Sequence, residues 1–499
     1  MKKLIILLCL QLIVGCELSA ANYLTFTAEE DNSSFSIEDH DIKSNIFYSL
    51  NNGKTWKRLT DEPVSLGKGD RALLKGNKPD KEPTEENYSN FKMEGLIAAS
   101  GSVMSLVDGK GEEKKIPYAY CFHGLFEDCT SLTQAPELPA TTLASACYKK
   151  MFLGCISLTH APELPATKLA KECYAGMFSK CTSLTKAPEL PATTLEEKCY
   201  VAMFFGCTSL TQASELPATT LADGCYRSMF FGCGSLTQAP ELPAKTLAET
   251  CYSSMFFGCS SLTQAPKLPA KTLAKWSYAS MFNECTSLIK APELPATTLA
   301  ECCYFSMFYR CSKLIQAPEL PATTLAEYCY SGMFHGCTSL TQAPELPATT
   351  LANSCYATMF NKCSKLTQAP KLPATTLADS CYYGMFYNCT SLTQAPELPA
   401  TTLANSCYFG MFGVCTNLKQ APELPATKLA NSCYAAMFSK CVKLSRIKIA
   451  FTDWETGTDS WLTDVAASGT FICPKNLPTE YGGDFIPRGW KIVYEESDK

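Results

Sequence analysis

The sequence predicts an α/β repeat solenoid, preceded by an all-β sandwich domain and closed by a small C-terminal cap. Three observations carry that prediction. A phrase of the form A-P-E-L-P-A-T-T-L-A recurs twelve times between Ala135 and Pro425 at a spacing of 26 residues, two cysteine columns keep the same register, and a region of short β-type runs precedes them. A period held that strictly marks a solenoid, because each unit leaves an apolar face that only its neighbours cover. Function is then to be sought in columns of like side chains.

The chain opens with Lys2 and Lys3 before an apolar run from Leu4 to Val14, too short to span a bilayer, which is the layout of a secretory signal. Ile13-Val14-Gly15-Cys16 resembles a bacterial lipobox, which implies lipidation of Cys16 and a membrane tether. Ordinary cleavage near Ala20 or Ala21 is the alternative. Either reading makes residues 1–21 a leader and the protein extracytoplasmic; the first anchors it by lipid at the cell surface.

Residues 22–115 read as the β-sandwich. Runs at Tyr23–Thr27, Ser34–Ile37, Ile46–Ser49, Thr55–Leu59, Ala72–Leu74 and Val103–Leu106 are separated by turn residues, and Asn51-Asn52-Gly53 marks a hairpin. The acidic, proline-bearing stretch Asn77–Asn87 reads as an exposed loop. Ser49-Leu50-Asn51-Asn52-Gly53-Lys54-Thr55-Trp56 resembles the Asp-box of sialidases, with Asn51 where the box has Asp. Such boxes are structural turns, and one imperfect copy makes a glycan hydrolase the remotest reading.

Residues 116–447 divide into 13 repeats of 26 residues. Within one unit Leu143, Cys147, Met151 and Cys155 are spaced i, i+4, i+8, i+12 with Tyr148 and Phe152 beside them, which predicts a short helix buried along one stripe. Ser157 to Leu164 reads as extended, with Pro162 and Pro165 ending any ladder because they lack backbone donors. Met151-Phe152-Leu153-Gly154-Cys155-Ile156-Ser157-Leu158 and Met203-Phe204-Phe205-Gly206-Cys207-Thr208-Ser209-Leu210 resemble the BspA-like leucine-rich repeats and the 26-residue repeats of bacterial surface lipoproteins. That resemblance implies a leucine-rich-repeat-like solenoid displayed outside the cell for binding or adhesion, and implies no reaction. Residues 448–499, with Trp454, Trp461 and Trp490, read as the cap that covers the last turn.

Composition narrows the chemistry. A net charge of -5 over 499 residues leaves no basic stripe for a nucleic-acid partner. The 29 cysteines are the anomaly. Ser277 fills a missing rung of the first column, and the second, from Cys129 to Cys441, has the odd number of 13 members. Both facts favour thiols packed as small apolar groups over a disulfide framework. With four histidines and no C-x-x-C pair, no metal site, cofactor, catalytic residue or Cys–His nucleophile is expected, so the chain is not read as an enzyme.

The candidate binding surface is a polar strip on the strand side, taken as the concave face: Thr133, Gln134 and Glu137, then Thr211, Gln212 and Glu215, Thr237, Gln238 and Glu241, Gln342 and Glu345, and Gln394 and Glu397. A face so alike from turn to turn suits a repetitive ligand held weakly at many turns, and the expected partner is an extracellular protein or glycan. The alternative is a structural stalk that displays residues 22–115 as the binding module.

Overall fold

The computed structural model describes residues 22–40, 42, 44–454 and 456–495. The leader and Cys16 therefore lie outside the described residues. The chain divides into two compact units, Met1–Ala218 and Thr219–Lys499.

In the first unit, eight strands precede the repeats: β1 (Leu24–Ala28), β2 (Ser33–Asp39), β3 (Asn45–Ser49), β4 (Lys57–Arg58), β5 (Val64–Leu66), β6 (Arg71–Asn77), β7 (Ser89–Glu94) and β8 (Ile97–Ser100). They form one sheet in the order β4-β3-β6-β1-β8 and a second in the order β5-β2-β7, all antiparallel. Phe26 of β1 meets Phe35 of β2 at 5.2 Å and Phe91 of β7 at 5.0 Å, so the sheets face one another across edge-on aromatic contacts. The Asn51 turn is a hairpin between β3 and β4. Its side chain closes the turn, with the Asn51 carbonyl oxygen accepting from Thr55 N–H and from Ser49 Oγ, each at 2.9 Å. The expected strand Val103–Leu106 is instead part of a helical turn, Ser105–Asp108. There Ser105 Oγ accepts Leu24 N–H and donates to the Leu74 carbonyl, both at 2.9 Å, which ties that turn to β1 and β6.

The repeats follow without a break in hydrogen bonding, since β9 (Leu132–Gln134) of the first repeat adds parallel to β8. The predicted helix does not form. Between Ala144 and Cys155 the chain is a ribbon of overlapping turns, in which Cys147, Lys149, Met151, Leu153 and Cys155 N–H groups each donate three residues back. The intervening N–H groups donate to the next repeat: Tyr148 to Cys173 at 2.9 Å, Lys150 to Ala175 at 2.8 Å and Phe152 to Met177 at 2.9 Å. Every fourth residue, Ala146, Lys150 and Gly154, has positive φ, and those reversals keep the buried positions in step. The physical reason lies in the period. A helix of 3.6 residues per turn would rotate a four-residue pattern off its stripe by about 40° at each step, whereas the ribbon repeats at four. The extended segment also shortens, to isolated parallel bridges such as Lys186 with Gln212 and Gln238 with Gln264, because prolines follow it.

In the second unit the same ribbon stacks Tyr226, Tyr252, Tyr278 and Tyr304 with ring centroids 5.8–5.9 Å apart and planes within 10°. A second column runs through Phe256, Phe282, Phe308 and Phe334 at 5.7 Å. Cysteine, tyrosine, methionine, phenylalanine and leucine from each turn are fully buried, as at Cys303, Tyr304, Met307, Phe308, Cys311 and Leu314.

The coil does not stop where the sequence repeat does. β10 (Glu423–Leu424), β11 (Arg446–Ile449), β12 (Thr470–Cys473) and β13 (Lys491–Tyr494) form one parallel sheet, so the boundary expected between 447 and 448 falls inside β11. Phe438 N–H donates to the Trp461 carbonyl at 2.9 Å as Phe412 N–H does to Met437. Trp461, fully buried, thus occupies the ribbon position that the repeats give to methionine. The tail is built as further, irregular turns of the coil.

Candidate functional site

The predicted strip is a real surface in both units. Gln134, Glu137, Thr211, Gln212 and Glu215 are exposed in the first, and Thr237, Gln238, Glu241, Gln342, Glu345, Gln394 and Glu397 in the second; Thr133 is half-buried. Backbone bridges set the glutamines in a column: Gln238 to Gln264, Gln264 to Lys290, Lys290 to Gln316 and Gln316 to Gln342. In the first unit Thr211 Oγ1 donates to the Thr185 carbonyl at 3.2 Å, and Thr133 Oγ1 to that of Ile97 at 3.2 Å, so each threonine hydroxyl points back along its own stack.

What the sequence reading missed is the role of the prolines. Grooves open between successive A-P-E-L-P segments: one bounded by Gln134, Pro136, Glu137, His160, Pro162 and Glu163, with Glu29 at its edge, and another by Lys186, Glu189, Pro191, Glu215 and Pro217. In the second unit the same groove recurs between Gln394, Pro396, Glu397, Gln420, Pro422 and Glu423. Proline rings form the walls and carboxylates and amides the rims, a mixture that offers apolar contact beside hydrogen bonds. The signal was present in the sequence as Pro136 and Pro139 flanking each Glu, but proline there was read only as a ladder terminator.

The cysteine columns turn inward, away from this surface. The buried cysteines of both columns are thiols, as at Cys155 in the first unit and Cys337 in the second. Cys155 Sγ donates to the Phe126 carbonyl at 3.1 Å, and the same oxygen accepts Cys129 N–H at 3.1 Å, so the thiol uses its second lone pair. The arrangement recurs in the second unit, as with Cys337 Sγ on the Phe308 carbonyl at 3.1 Å. Burial pushes the Cys129 thiol up to about 12 and that of Cys337 well above the ordinary thiol range. Ser277 fills its rung fully buried, with its hydroxyl unpartnered among the described residues.

A further concavity in the first unit lies between the sheets and the first repeat, lined by Tyr88, Tyr118, Tyr120, Cys121, Phe122 and His123. Burial raises the Cys121 thiol to about 12 and lowers His123 to about 4, each toward its neutral form. That is the reverse of an activated thiolate–imidazolium pair. Nearby, Lys149 Nζ is held between Glu85 and Glu172, both at 2.8 Å, which pins the 77–87 loop to the repeats.

Among the described residues no group of three or more His, Cys, Asp or Glu is placed to hold a metal ion, and no helix is long and apolar enough to cross a membrane. A family model for the BspA type leucine rich repeat region matches in six copies, over residues 226–367, 278–393 and 328–459. No curated protein and no solved structure matches the chain.

Proposed function

This chain is a BspA-like leucine-rich repeat protein, and from that premise we propose that it is a non-catalytic adhesion or binding protein of the cell surface that engages an extracellular protein or glycan through its proline-walled grooves. The observation that carries the reading is recurrence. Grooves walled by proline and rimmed by glutamate appear around Pro136, Pro191 and Pro396, with glutamine beside them in the first and third and Lys186 in its place in the second. Weak contacts repeated at equal spacing gain by multivalency when the ligand is itself repetitive, as polysaccharides and fibrous proteins are. The family supports a surface role, and the leader and Cys16 tether are part of this proposal. The absence of catalysis is supported by the direction in which burial moves Cys121 and His123.

The test uses the whole chain, because Phe126 of the first repeat packs on Phe91 at 5.2 Å and removing the sheets would uncover it. Arrays of glycans and matrix proteins would be screened with the parent and with a variant altered in two of the grooves, Gln134→Ala and Glu137→Lys with Gln394→Ala and Glu397→Lys. Loss of every hit in the variant upholds the grooves. Undiminished binding by the variant, lost instead on substituting the exposed pair Lys78 and Glu82, would make the repeats a stalk and the N-terminal sheets the binding module.

A further inference from the structure

The C-terminal end of the coil is an open strand edge. β13 ends the sheet β10-β11-β12-β13, paired on one side only among the described residues. Lys491 N–H donates to Gly469 at 2.8 Å and Glu495 N–H to Cys473 at 3.0 Å, so the odd-numbered residues direct their backbone groups to β12. By strand alternation Ile492 and Tyr494 direct theirs outward. Val493 and Tyr494 are also exposed, at 37% and 44%. Proteins ordinarily blunt such an edge, often with charge, because it templates pairing.

The charges here do not blunt it against itself. Lys491, Val493 and Glu495 share one face, and Lys448 holds Glu495 there through a 2.8 Å ion pair. We propose that β13 pairs antiparallel with β13 of a second copy, about Val493. In that register Ile492 and Tyr494 exchange four backbone hydrogen bonds with Tyr494 and Ile492 of the second copy. The same register sets Lys491 opposite Glu495 of the second copy on both sides, in the closely spaced non-hydrogen-bonded positions. Shifting it by two residues leaves fewer bonds and separates the opposite charges, so the outward donors and the side-chain charges select one alignment. The contact is isologous and closes as a two-fold dimer, because each copy's β13 is used in the one contact.

Sedimentation velocity of the full chain over a concentration series tests this. The expected result is a reversible shift from monomer to dimer. Lys491→Glu and Glu495→Lys, each placing like charges across the pair twice, weaken association by about tenfold or more. The combined variant K491E/E495K restores it, with Lys448 still held by Glu423 at 3.3 Å. Tyr494→Pro removes an outward N–H that no described residue accepts, and abolishes the dimer while leaving circular dichroism unchanged. A chain that stays monomeric throughout, or a dimer indifferent to these substitutions, or a double variant no better than the single ones, would overturn the proposal.

Discussion

The tyrosine column yields a prediction whose sign runs against habit. Tyr330 is 1% exposed, stacked between Tyr304 at 5.7 Å and Tyr356 at 5.8 Å, and its hydroxyl is buried with no hydrogen-bond partner among the described residues. An unsatisfied buried hydroxyl costs about 1–3 kcal/mol. Tyr330→Phe keeps the ring, the stack and the volume, and removes only that group, so stability is expected to rise by about 1–3 kcal/mol. Tyr252, whose hydroxyl is equally orphaned, gives the same result, and three turns separate the two. The double variant should therefore add to within about 0.5 kcal/mol. Tyr88 is the control. Its hydroxyl donates to Glu127 at 2.9 Å, and Tyr88→Phe should lose about 1.5–3 kcal/mol, the range for a bond to a charged group. Urea unfolding followed by fluorescence reads all of these as midpoint shifts at constant slope. A lower midpoint for Tyr330→Phe would refute the reasoning, because it would show that the hydroxyl is satisfied in the folded protein.

Three further outcomes follow from the interior. Burial holds His123 at about 4, below the ordinary 6.5, so the unfolded chain binds a proton between those values that the folded chain refuses. Stability is thus complete above pH 6.5 and falls by about 3 kcal/mol as pH drops toward 4, and the difference between parent and His123→Phe in pH-dependent urea midpoints isolates it. Phe308→Ala, which empties a fully buried ring site between Phe282 and Phe334, should cost about 3–5 kcal/mol, with hydrogen-exchange protection lost in the turns on either side. Because burial raises the thiols of the second column, a thiol reagent at pH 8 should leave Cys285 and Cys337 unlabelled in the native protein and label both once guanidinium unfolds it, as peptide mass mapping would show.

The repeat, its register and its buried positions were legible in the sequence, because identical side chains at a fixed spacing have one simple structural meaning. Cys147, Tyr148, Met151, Phe152, Cys155 and Leu158 were all singled out and are all buried, whereas Leu143, expected on the same stripe, is half-buried because no helix carries the stripe back to it. The secondary structure was not legible from hydrophobic spacing, since a period of four lies close enough to 3.6 to imitate a helix over two turns. The informative residues were the small ones. Gly154, Gly176, Gly206 and Gly232 fall at the ribbon's left-handed positions, where a helix would have disfavoured them. Among the sheets, β7 escaped notice because Ser89–Glu94 carries only Phe91 and Met93 among four polar residues. The candidate strip was found from recurrence alone, but its grooves were not, because proline's shape matters there as much as its missing donor.

The bonding rule of the ribbon has a genetic corollary. Each long-range backbone bond joins residues about 25 apart, from Tyr226 to Cys251 as from Tyr408 to Cys433. Inserting or deleting one 26-residue unit would therefore lengthen no loop and leave the sequence separation of every remaining contact unchanged, so the folding search is no harder for a longer chain. Near-identical units also offer unequal recombination many places to act. Copy number is then a dial that inheritance can turn in whole steps, trading reach and valency without asking the fold for a new solution.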